Sequence, residues 1–195
     1  GGQFAPEDRW NHGTLQFLDR ITRPTDQLGE RLTMVLHDWL AINAGDVGAF
    51  FDQSPLIGLA NPLAPPIVIG KTGPQSAAAR VRFGSAYEGP PASVHGGYVA
   101  AAFDEVLGYV QSLSGRGGFT GTLTVRYRNP TPLHTDLYFE ASIVRIEGRK
   151  IYTEGRLYAG DLLTAEGEAI FITVHESKHA ALMKKRDALE AELGS

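Results

Sequence analysis

The chain of 195 residues contains no cysteine. That absence excludes disulfide scaffolds, thiolate zinc sites and a cysteine nucleophile together, and it fits a reducing compartment. An excess of basic charge is also missing. The formal net charge is −4, no dense Lys/Arg block stands out, and nucleic acid is not an expected partner. An anionic ligand would have to find a local patch of cations. No stretch approaches the roughly 18 consecutive apolar residues of a membrane span. No basic segment followed by an apolar core opens the chain. A soluble cytoplasmic protein with no membrane partner is the expectation. What is present is enough apolar material for a core: 43% hydrophobic against 21% charged residues suits a globular domain.

Three zones differ in pattern. Residues 1–50 read as an N-terminal helical extension. Within them, Leu32, Val35, Leu36, Trp39 and Leu40 repeat at helical spacing, which predicts an amphipathic helix over residues 28–43. Residues 51–176 read as the main domain. Pro55, Pro62, Pro65, Pro66 and Pro74 exclude a long helix at its start, leaving loop and a short strand at residues 67–70. Strands are then expected at 79–87, 119–128, 137–146, 150–158 and 162–174. The strand at 119–128 alternates, with Phe119, Gly121, Leu123, Val125 and Tyr127 on one side. Apolar parity switches between Ile143 and Val144, which predicts a bulge. Glu147-Gly148 and Gly160-Asp161 read as hairpin turns. Residues 177–195 read as a charged C-terminal helix. No internal repeat or low-complexity tract is visible.

The most informative segment is "VHGGYVAAAFDEVLGYV", residues 94–110. Tyr98, Val99, Ala102, Phe103, Val106, Leu107 and Val110 cover most of a helix circumference. A helix apolar nearly all round must be buried on most sides. The element order is strand, apolar helix, then four strands in a meander. One antiparallel sheet curled around one helix satisfies both, so the class is α+β. Two glycines open this helix. Its first amides have no intrahelical partner and carry the positive end of the dipole, and glycine lets another group approach them closely. Asp104 and Glu105 lie within the apolar run, where a carboxylate carries a desolvation cost and marks a candidate site. They are about 100° apart round the helix, and the pattern alone leaves either as the working acid.

The quoted segments "YEGPPASVHGGYVAAAFDEVLG" (residues 87–108), "TGTLTVRYRNPTPL" (120–133), "EGRK" (147–150) and "LLTAEGEAIFI" (162–172) resemble the hotdog-fold acyl-CoA thioesterases. The likeness is to the phenylacetyl-CoA and long-chain acyl-CoA subgroup and covers roughly residues 79–174. An Asp nine residues after the His of His-Gly-Gly is the most specific part. The resemblance implies a hotdog fold and hydrolysis of an acyl-CoA thioester to free acid and coenzyme A. It implies the Gly96 N–H as oxyanion donor, His95 as a residue shaping the turn and lining the site, and Asp104 as base or nucleophile. Glu105 is then expected at a solvent-facing or subunit-contact position. Thr120 is implied as the group that holds the attacking water, although its strand parity points away from Leu123 and Val125 unless Gly121 bends the strand. Gly97 joins the substrate-binding candidates. Arg126, Arg128, Arg149 and Lys150 are the candidate cations for the phosphates of coenzyme A. No separate cofactor is expected. His175 and His179 have helical spacing but no third ligand, so no metal site is expected. "SGRGGF" (residues 114–119) lacks the lysine of a phosphate loop and reads as a turn.

A distance then bears on assembly. Gly96 and Asp104 are eight residues apart on one helix, about 12 Å along the axis at ~1.5 Å per residue. Reacting groups must approach to about 3–3.5 Å. One thioester cannot touch both in one chain, so the site is expected to be shared between subunits of a homodimer or homotetramer. Two alternatives remain beside the thioesterase: a hotdog dehydratase or hydratase, which works with a His and an acid on a hydroxyacyl thioester, and a non-catalytic acyl-CoA-binding module.

Overall fold

The structure is a computed structural model and describes residues 54–57, 64–65 and 67–193. The extension over residues 1–50, with its expected helix, lies outside the described residues. Strands β1 (Val68–Gly73) and β2 (Ser76–Val81) form a hairpin, followed by a short 3-10 turn at Ser85–Tyr87 and the helix α1 (Gly96–Ser112). Then come β3 (Gly118–Tyr127), β4 (Leu137–Glu147), β5 (Lys150–Ala159), β6 (Leu162–Thr173) and α2 (Glu176–Leu193). The six strands make one antiparallel sheet in the order β1-β2-β4-β5-β6-β3. This is the hotdog arrangement. The chain leaves β2 and re-enters the sheet as β3 beyond β4, β5 and β6, so α1 must cross the sheet between them. It contacts all six strands.

That crossing explains the composition of α1. Val99, Ala102, Phe103, Val106, Leu107 and Val110 are sealed from solvent. Full burial of a Val, Leu or Phe side chain contributes roughly 1.5–3 kcal/mol relative to exposure. The sheet supplies the matching row: Leu137, Phe139 and Ala141 of β4, Ile151 and Leu157 of β5, Ala165, Ala169 and Phe171 of β6. Helix and sheet approach closely at Gly167, where a Cβ would overlap the Phe103 ring. The Phe103 ring also stands edge-on to Phe139, centroids 5.0 Å apart.

Three sequence expectations change. The strand expected at 79–87 starts at Ser76 and ends at Val81. Past Gly84 the chain turns, and Phe83 and Tyr87 meet edge to face in the core at 5.4 Å. The four-strand meander holds for β4-β5-β6 only, because β3 docks on the far side of β6. Phe119 does not share the inner row with Leu123 and Val125. It is 52% exposed, because the β3–β6 register shifts between Thr120 and Thr122. The expected β4 bulge is present, with the register shifting between Ile143 and Arg145. Both hairpin turns occur, with Gly148 and Gly160 at positive φ. Among the described residues no helix is long and apolar enough to cross a membrane.

Candidate active site

The turn before α1 is held from several sides. His95 N–H donates to Tyr87 O (2.8 Å), Val94 N–H to Thr131 O (2.8 Å), and Leu133 N–H to Ala92 O (3.1 Å). Ala92 sits at φ 58, in the left-handed region that disfavours a side chain. Its N–H donates to Glu88 Oε1 at 2.9 Å. The loop therefore has backbone and side-chain partners fixing the direction in which α1 begins.

His95 is the N-cap. Its Nδ1 accepts from Gly97 N–H at 3.0 Å. That nitrogen is committed to the cap, which suits a turn-shaping residue and not a general base acting through Nδ1. The Gly97 amide is likewise engaged. Among the described residues the Gly96 N–H has no hydrogen-bond partner, so this amide stands open at the positive end of a buried helix. A Cβ at Gly96 would lie 3.3 Å from the Tyr127 hydroxyl, which donates to Gly96 O at 2.7 Å. Tyr127 thus clamps the glycine turn from β3. Sequence reasoning missed it. Its only signal was its place on the inner side of an alternating strand.

At mid-helix the Thr120 hydroxyl donates to Asp104 Oδ1 at 2.8 Å. The bulge at Gly121 makes this possible. Thr120 pairs with Phe171 and Leu123 with Ala169, both buried partners, so Thr120 and Leu123 share the helix-facing row across the irregularity. A Cβ at Gly121 would press on Ile172 Cγ1 at 2.9 Å, which keeps that position glycine. The apparent parity conflict dissolves.

Of the two positions expected of Glu105, solvent-facing or subunit-contact, the structure does not bear out the first. Glu105 is half-buried and accepts from Ser54 Oγ at 2.6 Å. Burial pushes its pKa above the ordinary carboxylate value, Ser54 pulls it down, and the neighbouring Asp104 charge pushes it up. The two acids thus face different partners.

The four expected cations divide into two pairs. Arg126 binds Glu168 (2.5 Å) and Arg128 binds Glu166 (2.6 Å), all on the sheet face away from α1. There they line a trough of about 490 Å³ together with Arg156, Glu140 and Glu154. That trough is on the wrong side of the sheet for Asp104. Arg149 Nε donates to Thr173 O at 3.2 Å and Lys150 is exposed beside it. Arg116, a residue the sequence did not single out, reaches the same turn and donates to Gly148 O at 3.2 Å. Among the described residues, Arg116, Arg149 and Lys150 have no carboxylate in ion-pair contact. No group of three His, Asp or Glu suited to a metal occurs among the described residues.

A helix wrapped by one antiparallel sheet, with an open amide at the helix start and an acid eight residues further along, makes up a hotdog domain. Residues 92–166 match the family model of the Thioesterase superfamily. The chain is similar to acyl-coenzyme A thioesterase THEM4 of Xenopus laevis, 37% identical over 44% of this chain and 39% of that protein. It is also similar to acyl-coenzyme A thioesterase THEM5 of Homo sapiens, 33% identical over 46% of this chain and 37% of that protein. The chain therefore spans about two fifths of the length of these relatives. A solved thioesterase superfamily protein superposes with a TM-score of 0.62 at 28% identity, covering 88% of this chain and 97% of that one.

Proposed function

We propose that the protein is an acyl-CoA thioesterase whose sites form between two subunits. The observation that carries this is the position of β3. It is an edge strand of the sheet, at the opposite end from β1, and it holds one half of a site at each end: Thr120 on Asp104, Tyr127 on Gly96. Antiparallel pairing of β3 with its copy about the strand midpoint would set the Tyr127–Gly96 end of one subunit beside the Thr120–Asp104 end of the other. An outer strand with an open edge invites such pairing. The names of the curated relatives support the substrate class.

In such a site the thioester oxygen lies against the Gly96 N–H of one subunit, where negative charge is stabilised as it develops. Asp104 of the other subunit brings the nucleophile, either its own carboxylate or a water that it deprotonates. Thr120 holds Asp104 in position. The C–S bond breaks and the sulfur leaves as the thiol of coenzyme A after taking up a proton. The acid is released at once where water attacked, or, where the carboxylate attacked, when a water molecule cleaves the resulting acyl–Asp104 anhydride. Arg149 and Lys150, joined by Arg116, are the cations best placed to accept phosphates, since Arg126 and Arg128 are already neutralised by glutamates. The dehydratase alternative needs a histidine that works with the acid, and with Nδ1 engaged by the helix cap His95 could offer only its Nε2 to that work.

A panel of acyl-CoA substrates with detection of free thiol tests the reading. Thiol release is the expected result. An enoyl or hydroxyacyl product would move the protein to the dehydratases, and binding without turnover to the non-catalytic modules. Sharing of the site is tested by mixing Asp104→Asn subunits with subunits disabled at the Gly96 turn. Mixed dimers regain activity because one of their two sites is intact, and mixed dimers that stay inactive while both parents fold would contradict the shared site.

A further inference from the structure

Glu105 is a half-buried acid that hydrolysis leaves without a task. Its partner explains where it points. The Ser54 hydroxyl donates to Glu105 Oε1 at 2.6 Å and at the same time accepts from Leu56 N–H (3.1 Å) and Ile57 N–H (3.3 Å). One oxygen therefore both closes the turn over residues 54–57 and fastens it to α1. Ile57 packs against the core cluster, and Leu56 is half-buried. The fastening point is the residue directly after Asp104.

The carboxylate is a costly fastener. It is withdrawn from water next to another acid, and both effects disfavour its charge. An apolar side chain could pack against the turn without that cost. What a hydrogen bond adds is direction, which fixes how the turn sits and where its apolar side chains stand. The turn is fastened to α1 at the residue that follows Asp104, so its apolar side chains stand beside the stretch of helix from which Asp104 would reach a thioester carbonyl.

Given the acyl-thioester function proposed above, on which this step rests, we infer that the turn over residues 54–57, fastened by the Ser54–Glu105 bond, is a wall of the acyl subsite. Its occupant is the apolar chain of the acyl group, and Leu56 is the side chain offered to it. Ser54 and Glu105 are then positioning residues for acyl selectivity. They act on how the acyl chain binds and not on the reacting atoms.

The test compares a short and a long acyl group in two formats: hydrolysis of the thioesters, and binding of non-hydrolysable acyl-CoA thioethers. Ser54→Ala and Glu105→Ala are expected to lower the long-to-short ratio of kcat/KM about tenfold, the scale of a methylene-sized change in an apolar pocket. The loss falls on KM for the long substrate, and the thioether affinities shift by the same ratio. Ser54→Thr and Glu105→Gln keep a donor and an acceptor and retain the wild-type ratio. Leu56→Ala shifts the ratio with the bond intact, so the wall can be read even where an alanine at 54 or 105 impairs folding. An unchanged ratio in Ser54→Ala, Glu105→Ala and Leu56→Ala, with a wild type that hydrolyses both substrates, overturns the wall and leaves the thioesterase standing. A wild type that binds the thioethers with a ratio dependent on the turn, yet releases no thiol, overturns the hydrolase and leaves the wall. A wild type that neither binds nor hydrolyses overturns both.

Discussion

Asp104 and Glu105 are neighbours in sequence and belong to different regions of the molecule. Asp104 faces β3 and receives a hydroxyl from Thr120 at the edge of the sheet. Glu105 faces the segment before β1 and receives a hydroxyl from Ser54. Both acids are half-buried, both lie on the same helix turn, and both accept from a small hydroxyl residue. A rotation of about 100° per residue separates their surroundings. On the β3 side the acid meets the strand whose Tyr127 also bonds the glycine turn. On the other side the acid meets a turn with apolar side chains and no open amide. Chemistry at a helix thus depends on which neighbouring element each residue meets, and residue type alone cannot distinguish the two.

The sharpest way to break that comparison is at the acids themselves. Asp104→Asn is expected to fold and to lose roughly 10²–10⁴-fold in kcat, the scale for a positioned acid–base group. Glu105→Gln should cost far less in kcat. Steady-state kinetics on the two proteins decides it, and the reverse order would transfer the reacting role to Glu105. Next in size is Gly96→Ala. An added Cβ would stand 3.3 Å from the Tyr127 hydroxyl and crowd the place of the thioester oxygen. The barrier is expected to rise by about 2.7–4 kcal/mol, the loss of one oxyanion donor, with kcat falling more than substrate affinity. Melting temperature and kcat on one preparation separate this from a turn defect: an unstable but fully active variant would remove the oxyanion role. Smaller again is Thr120→Val. It removes one hydrogen bond to a carboxylate, for which about 1.5–3 kcal/mol is usual. The exposed setting puts the expected loss in kcat at the lower end, roughly tenfold. Turnover matching wild type would mean that Thr120 does not support Asp104.

How much of this the sequence could show depends on the period of the signal. The helix-wrapping sheet was legible because α1 is apolar on nearly every side, and no flat sheet covers such a helix. The β4 bulge was legible from the parity switch at Ile143 and Val144. The bulge in β3 was not: Phe119 and Leu123 have the same parity and are both apolar, so only the fold shows that the register slips at Gly121. Thr120 looked misdirected for that reason. The Tyr127–Gly96 and Ser54–Glu105 bonds join residues 31 and 51 positions apart, and no local pattern carries such pairs. The division of the cations was equally hidden. Arg126 and Arg128 are neutralised by Glu168 and Glu166 across the β3–β6 ladder, a pairing set by register and not by spacing along one strand.

The smallest expected effect is the one that reports most directly on the Glu105 side. Burial and the Asp104 charge hold the Glu105 pKa above its ordinary value, against the opposing pull of Ser54. A carboxyl whose pKa is higher in the folded than in the unfolded state binds its proton more tightly when folded. Its contribution to stability is fully present below the unfolded pKa and is lost as pH rises through the folded pKa. Glu105→Gln keeps an acceptor for Ser54 but cannot titrate, so it lacks this term at every pH. Wild type should therefore compare best with the variant in acid and lose ground as pH rises through the folded pKa of Glu105. Near neutrality Glu105→Gln should melt at the same temperature or slightly higher, by at most about 2–4 °C, which corresponds to about 1 kcal/mol for a domain of this size. Glu147 and Glu166 are shifted the other way, first by their hydrogen bonds to Arg145 and Arg128. Both proteins carry them, so their loss of stability in acid cancels in the difference. Melting curves of the two proteins in parallel from about pH 4 to 8 measure that difference. A difference independent of pH would mean that Glu105 is not held out of water by the turn at residues 54–57, and the contrast between the two sides of α1 would then rest on Asp104 alone.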